Sequence, residues 1–454
     1  CNEVASDMTS AFGESVLINQ FSDILENDFF VDFTLKATIL ICTPEKLSYI
    51  IHHQVEFLDE IGLYIFDESH MFDDGRRGTA YELLISEIRK HINTEKQIVL
   101  LSAVLSNAEQ IKQWLFNENG TLASDPAIKT TPKSIGFSSQ TRDIHYYSED
   151  PEREDFYVPR SIEVNLLKKL GKERKKRYFP NLTDPKDIAI YYANKLCKNG
   201  GAAIFANRTR SVQTIIQQII DLDSREYDLS GIQKYSNTLE MSRIAKLMAD
   251  YYGCDHPYTK ACNLGVAPHY SNLPNGLRLA IEYAFRKKDL HLVICTSTLA
   301  QGVNIPIKYL FMTSFMLDQN SMKIRNFQNL MGRTARSGMY TEGSVIVTDS
   351  KLFDNKNNRS NGGFYKWENC VKMFDSHAAE PCESSILWLV QDIEINRDDY
   401  VKGVYIANYI INNYSHWDCF ESCYEKILQA YERKKQTPMN QKSVTVLKTA
   451  LTVR

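Results

Sequence analysis

The stretch Leu63-Tyr64-Ile65-Phe66-Asp67-Glu68-Ser69-His70 decides the fold, because a run of four apolar residues stops at an acidic pair. Runs of similar length recur at 39–42 (ILIC), 98–101 (IVLL), Ala202–Phe205, Leu292–Cys295 and 345–347 (VIV), each ending at a polar or small residue. Short continuous apolar runs are the pattern of parallel strands buried on both faces. Between them the period changes: from Gly78 onward, Tyr81, Leu84, Ile85, Ile88 and Ile92 fall on one side of a helix. Strands alternating with helices predict an α/β chain of doubly wound parallel sheets. Ligands of such sheets bind beyond the carboxyl ends of the strands, which places Asp67 and Glu68 where chemistry is expected.

The alternation is interrupted once. Residues 1–125 carry a first α/β domain and 187–378 a second. The polar stretch 126–186 between them contains an acidic cluster at 148–155 and the basic run KKLGKERKKR at 168–177, and reads as a connector or insertion. From 379 to 454 the pattern turns mainly helical, with 386–390 and 400–411 as candidate helices opening a C-terminal region.

Composition narrows the class. The 454 residues are 43% hydrophobic and 24% charged with a net charge of -3, which fits a soluble, core-forming chain of several domains. Bulk charge does not announce nucleic acid, so any electrostatic track is local. The run at 168–177 offers one, with a solvated loop as the plainer reading. No stretch approaches the roughly 18 to 20 apolar residues that cross a bilayer, so no membrane partner is expected. The first residues lack the pattern of a signal peptide, and the expected location is cytoplasmic, or nuclear in a eukaryote. Ten cysteines at scattered spacings predict no disulfide framework. His416, Cys419 and Cys423 come nearest to a metal cluster but lack a fourth zinc ligand.

Asp67 and Glu68 do not stand alone. A strand-end carboxylate can hold the water shell of a nucleotide-bound Mg²⁺, and its neighbour can deprotonate an attacking water. The strand ending at Leu101 delivers Ser102-Ala103-Val104, and the run ending at Cys295 delivers Thr296-Ser297-Thr298-Leu299-Ala300-Gln301-Gly302-Val303-Asn304. Gly332-Arg333-Thr334-Ala335-Arg336 then offers two guanidiniums at helical spacing, able to stabilise charge on a transferring phosphoryl group.

In this order the segments resemble motifs II, III, V and VI of superfamily-two helicases, and specifically the superkiller-like branch of DExH-box enzymes. Further segments resemble that branch: Thr43-Pro44-Glu45-Lys46 (motif Ib), Arg77-Gly78 with Glu82 (the helix after motif II), FANRTR at Phe205 to Arg210 (motif IV), and Gly265 to Tyr270 with Leu273-Pro274 (motif IVa). The resemblance implies two tandem RecA-like domains followed by the start of a winged-helix-like region. It implies that ATP and Mg²⁺ are cofactors and that single-stranded or duplex nucleic acid, DNA or RNA, is the partner.

By that resemblance Asp67 holds Mg²⁺ through water, Glu68 is the general base, and His70 couples the nucleotide to domain closure. Arg333 and Arg336 are arginine fingers; Ser102, Gly302 and Asn304 are coupling residues. Thr43, Pro44, Asn207, Arg208 and Thr296 contact the sugar-phosphate backbone, so little sequence preference is expected. Residues 316–325 form either a strand-separating β-hairpin or a plain loop. The implied activity is ATP-driven translocation and unwinding, running 3′ to 5′ as in that branch. Alternatives are a degenerate, strand-binding scaffold and a motor subunit of a nuclease-coupled defence or repair complex, with further protein partners.

The chain departs from the family pattern in places. No GxxxxGK[ST] phosphate loop occurs. Cys1-Asn2-Glu3-Val4-Ala5 resembles the tail of motif Ia, so the chain is expected to be a fragment whose phosphate loop lies upstream and which binds ATP poorly alone. Val104 stands where Thr is usual, Asn329 where the branch favours Gln, and Ala335 where Gly is usual.

Overall fold

Four-residue strands followed by helices organise both halves of the chain. The computed structural model describes residues 2–20, 38–73, 75–91, 96–102, 105–116, 119–123, 131–148, 156–297, 305–317, 320–335, 340–375, 378, 380–387, 391–396, 399–404, 428–429 and 432. The chain divides into two compact units. The first comprises Cys1–Ala103, Asn107–Thr121 and Pro381–Arg454; the second comprises Val104–Ser106 and Leu122–Glu380.

The first unit contains α1 (Asn2–Phe12), β1 (Leu17–Gln20), β2 (Thr38–Ile41), α2 (Pro44–His53), β3 (Leu63–Phe66), α3 (Gly75–Lys90), β4 (Gln97–Leu100) and α4 (Ala108–Phe116). β1 pairs with β2 and β3 with β4, both parallel, with Phe66 opposite Leu100. The expected helical stripe is in place: Tyr81, Leu84, Ile85 and Ile88 of α3 are all buried, while Ile92 lies outside the described residues. Phe66 at the end of β3 meets Tyr81 edge to face at 5.7 Å, which fixes the strand end against α3. Only one face of β3 is covered. Tyr64 and Phe66 are buried, whereas Leu63 and Ile65 are 48% and 57% exposed, so the expectation of two buried faces fails here.

The second unit opens with β5 (Lys133–Ser138), β6 (Ile144–Tyr146), β7 (Tyr157–Val158), β8 (Asn165–Leu166) and β9 (Tyr178–Phe179). It continues through α5 (Pro185–Leu196), β10 (Ala202–Phe205), α6 (Thr209–Ser224), α7 (Ser230–Gln233), α8 (Thr238–Tyr252), α9 (Pro257–Asn263), β11 (Val266–His269) and α10 (Asn275–Arg286). Then follow β12 (Leu292–Cys295), β13 (Tyr309–Met312), β14 (Met316–Leu317), β15 (Asn320–Ser321), α11 (Ile324–Gly332), β16 (Gly343–Val347), α12 (Ser350–Asp354) and α13 (Gly363–Lys372). Eight strands form one sheet in the order β11-β12-β10-β13-β16-β5-β6-β7, parallel from β11 to β5 and antiparallel beyond. β10, β12 and β13 are buried at every position, as continuous apolar runs require. β11 carries Pro268, which donates no ladder hydrogen bond, and it lies at the sheet edge.

The stretch expected as a connector supplies β5, β6 and β7 to this sheet. β5 runs along β16 from Lys133 opposite Gly343 to Phe137 opposite Val347, and Phe137 packs on Trp367 at 4.7 Å. Three of the seven basic side chains at 168–177 make contacts within the unit. Lys168 pairs with Glu226, Lys169 donates to the Arg174 carbonyl at 3.2 Å, and Arg177 lies 3.5 Å from Asp221.

Within 316–325, Met316 pairs with Ser321 and Leu317 with Asn320, antiparallel, while Ile324 and Arg325 begin α11. Beyond Glu380, Ile393–Asn396 and Asp399–Val401 form a further antiparallel pair. Tyr400, expected to open a helix, therefore lies in a strand, held by its ladder partner Glu394. His416, Cys419 and Cys423 lie outside the described residues. Among the described residues no helix is long and apolar enough to cross a membrane.

Candidate active site

The end of β3 is built by its partner strand. Leu101 N–H donates to the Phe66 carbonyl at 2.8 Å, and the Leu101 carbonyl accepts from Ser69 twice, from N–H at 2.9 Å and from the hydroxyl at 2.8 Å. Fully buried Ser69 thereby staples the turn after β3 to the end of β4. That staple holds three of the expected residues in one cluster. His70 Nδ1 lies 3.4 Å from Glu68 Oε2 and 3.4 Å from Ser102 Oγ.

Asp67 is exposed, and its Oδ1 accepts the Glu68 N–H at 2.9 Å. Glu68 adopts φ +53°, a left-handed conformation that costs a non-glycine residue about 1–3 kcal/mol. The surrounding hydrogen bonds hold it there and turn its carboxylate toward His70. Tyr81 reaches the Asp67 carbonyl at 3.4 Å, and burial, together with the Asp67 charge, pushes its phenol well above the usual tyrosine range. An oriented, exposed carboxylate at the end of a parallel strand fits a hydrated divalent cation.

Thr43 is the N-cap of α2 with Pro44 in the first turn, so both stand just beyond β2. Arg77 Nε donates to Glu45 at 2.8 Å, tying this corner to the start of α3.

In the second unit the expected strand-contact residues gather beyond the carboxyl ends of adjacent strands. Asn207 and Arg208 follow β10 and Thr296 follows β12. Asn207 Oδ1 accepts from the Ser211 hydroxyl at 3.0 Å, Arg208 is the N-cap of α6, and Thr296 N–H donates to the His269 carbonyl at 3.2 Å. His269 itself is wholly buried, with Nε2 2.9 Å from Glu282 on α10. Glu282 carries no sequence signal, since α10 reads as an ordinary amphipathic helix. Arg333 closes the C-terminal end of α11. Gly302, Asn304, Arg336 and Val104 lie outside the described residues.

Two helicase family models match separate parts of the chain. Residues 6–111 match the DEAD/DEAH box helicase family, and residues 232–338 match the helicase conserved C-terminal domain. The chain belongs to the superfamily-two helicases. It is 27% identical over 319 residues to the Hachiman protein HamB of Bacillus cereus, covering 69% of this chain and 28% of that protein. It is 26% identical over 330 residues to the ATP-dependent DNA helicase Hel308 of Methanococcus vannielii, covering 70% and 39%. The human helicase POLQ-like is 25% identical over 320 residues, covering 70% and 27%. The matched region is thus well under half the length of each relative. Within this helicase chain the RecA-like α/β units place the DExH residues at the end of β3 and the FANRTR segment at the end of β10.

Proposed function

We propose that this helicase chain supplies the hydrolytic switch and the strand-gripping face of an ATP-driven DNA translocase that unwinds duplexes 3′ to 5′. The observation carrying the proposal is the cluster of Glu68, His70 and Ser102 around one imidazole nitrogen. Bound Mg²⁺·ATP supplies the phosphoanhydride whose hydrolysis drives movement. Asp67 would hold the metal's water shell, and Glu68 takes the proton of the attacking water on a carboxylate oxygen. His70 changes partner between Glu68 and Ser102, which relays the protonation state of the base to the end of β4. Arg333 and Arg336 neutralise phosphoryl charge. Thr43, Pro44, Asn207, Arg208 and Thr296 grip phosphates, with Gly302 and Asn304 linking grip to nucleotide. The hairpin at 316–321 is the strand-parting wedge. DNA is assigned as the track by similarity to the archaeal ATP-dependent DNA helicase.

The test is ATP hydrolysis by the complete reading frame, with and without single-stranded DNA or RNA. Glu68→Gln is expected to lower stimulated hydrolysis by at least about 100-fold, the range of a lost general base, while strand binding persists. Unchanged hydrolysis in that variant would remove Glu68 from the reaction.

A further inference from the structure

Three residues of the segment Pro381–Ser385, which follows the second unit in the chain, are hydrogen-bonded to the DExH region and the elements beside it. Asn107, just after the Ser102 segment, pairs with the backbone of Cys382 in both directions: Cys382 N–H donates to Asn107 Oδ1 at 2.9 Å, and Asn107 Nδ2 donates to the Cys382 carbonyl at 2.9 Å. Buried Cys382 directs its thiol to the His70 carbonyl at 3.4 Å. Ser384 donates to the buried Glu82 carboxylate of α3, whose oxygens lie 2.6 and 2.8 Å away. Ser385 N–H donates to the Phe72 carbonyl at 3.0 Å, and its hydroxyl also bonds that carbonyl. Gly78 makes the room: a Cβ there would sit 2.5 Å from the Phe72 carbonyl oxygen and 2.7 Å from that of Met71, and would strike the Ser385 hydroxyl.

The anchors are not scattered. His70 and Phe72 flank the turn that carries the catalytic cluster, Glu82 and Gly78 belong to the helix behind it, and Asn107 follows Ser102. Two residues before Cys382 the same chain is anchored within the second unit. There the Glu380 carboxylate accepts from the Ile324 and Arg325 amides at 2.9 and 3.4 Å, capping the helix that ends at Arg333.

We propose that Pro381–Ser385 is a positioning strap of the ATPase switch, with Asn107 and Ser384 as its positioning residues. It holds the His70 peptide in place and conveys strand engagement to the hydrolytic cluster. This rests on the ATPase reading above. Moving the strap requires the His70 and Phe72 carbonyls to give up their partners, so the Glu68–His70–Ser102 arrangement and the chain leaving the second helicase domain are linked.

The test is steady-state ATP hydrolysis by the complete protein carrying Asn107→Ala or Ser384→Ala, with Ser384→Thr as the conservative variant that keeps the hydroxyl. Thermal unfolding of each variant is recorded alongside. The strap predicts that both alanine variants keep unstimulated kcat and the KM for ATP within about twofold. It predicts that they lose at least about tenfold of the DNA-stimulated kcat, a span of about 1.4 kcal/mol, and that Ser384→Thr restores it. Stimulation unmoved by either alanine substitution overturns the strap alone. So does an equal fall in basal and stimulated rates with lowered thermal stability, which marks a merely structural contact. Absence of hydrolysis in the unsubstituted protein removes the ATPase reading, and the strap falls with it.

Discussion

Ala335 shows how a single departure from a family pattern acquires a physical meaning. It is buried at φ +56°, with its N–H donating to the Ile307 carbonyl at 2.7 Å, which is the left-handed conformation in which glycine is unstrained. Space for its methyl comes from Gly343, where a Cβ would lie 2.6 Å from Ala335 Cβ. Ala335→Gly should therefore stabilise the second unit by about 1 kcal/mol, the size of the left-handed penalty, read as a higher urea midpoint at unchanged slope. An unchanged midpoint would mean that the turn has already relaxed around alanine. Glu68 holds the same kind of backbone at the catalytic turn. That strain was not legible in the sequence, because nothing in a string of residues distinguishes a relaxed glutamate from a strained one. The acid pair itself was legible, because it interrupts an apolar run.

At the scale of elements, the readable strands were the ones written as continuous apolar runs, whether buried on both faces like β10 and β12 or on one like β3. Leu63–Phe66, Ala202–Phe205 and Leu292–Cys295 begin and end where the apolar runs do. β5 was hidden because KSIGFS has no continuous apolar run, and β11 because Pro268 argues against a strand except at an edge. The start of α5 shows what such sequences conceal electrostatically. Asp187 accepts from Asn181 N–H at 3.1 Å and from Gln218 at 3.1 Å, and burial, with the neighbouring Asp184 charge behind it, raises its carboxyl to about 6. A raised carboxyl contributes stability that is fully present below its unfolded value of 3.8 and is lost as pH climbs through about 6. Asp187→Asn should flatten that part of the stability profile of the second unit between about pH 4 and 6, followed by urea unfolding across pH. A wild-type slope surviving in the variant would assign the effect elsewhere.

Across the whole molecule, order along the chain proved more informative than composition. A net charge of -3 gave no sign of a helicase chain, and in the conspicuous basic run Lys168, Lys169 and Arg177 are engaged by Glu226, a backbone carbonyl and Asp221. The ordered recurrence of Asp67-Glu68-Ser69-His70, Ser102 and Thr296 after strands, with Arg333 after α11, carried the identification. What order could not reveal was the return of Pro381–Ser385 to the first unit, because pairs such as Asn107 and Cys382, 275 residues apart, leave no local pattern. The central claim is that Glu68-dependent ATP hydrolysis drives duplex unwinding, and strand displacement from a 3′-tailed DNA duplex by the complete protein tests it most directly. The account predicts displacement that requires ATP and disappears in Glu68→Gln; displacement that persists in that variant, or none with ATP from any tailed duplex, would contradict it.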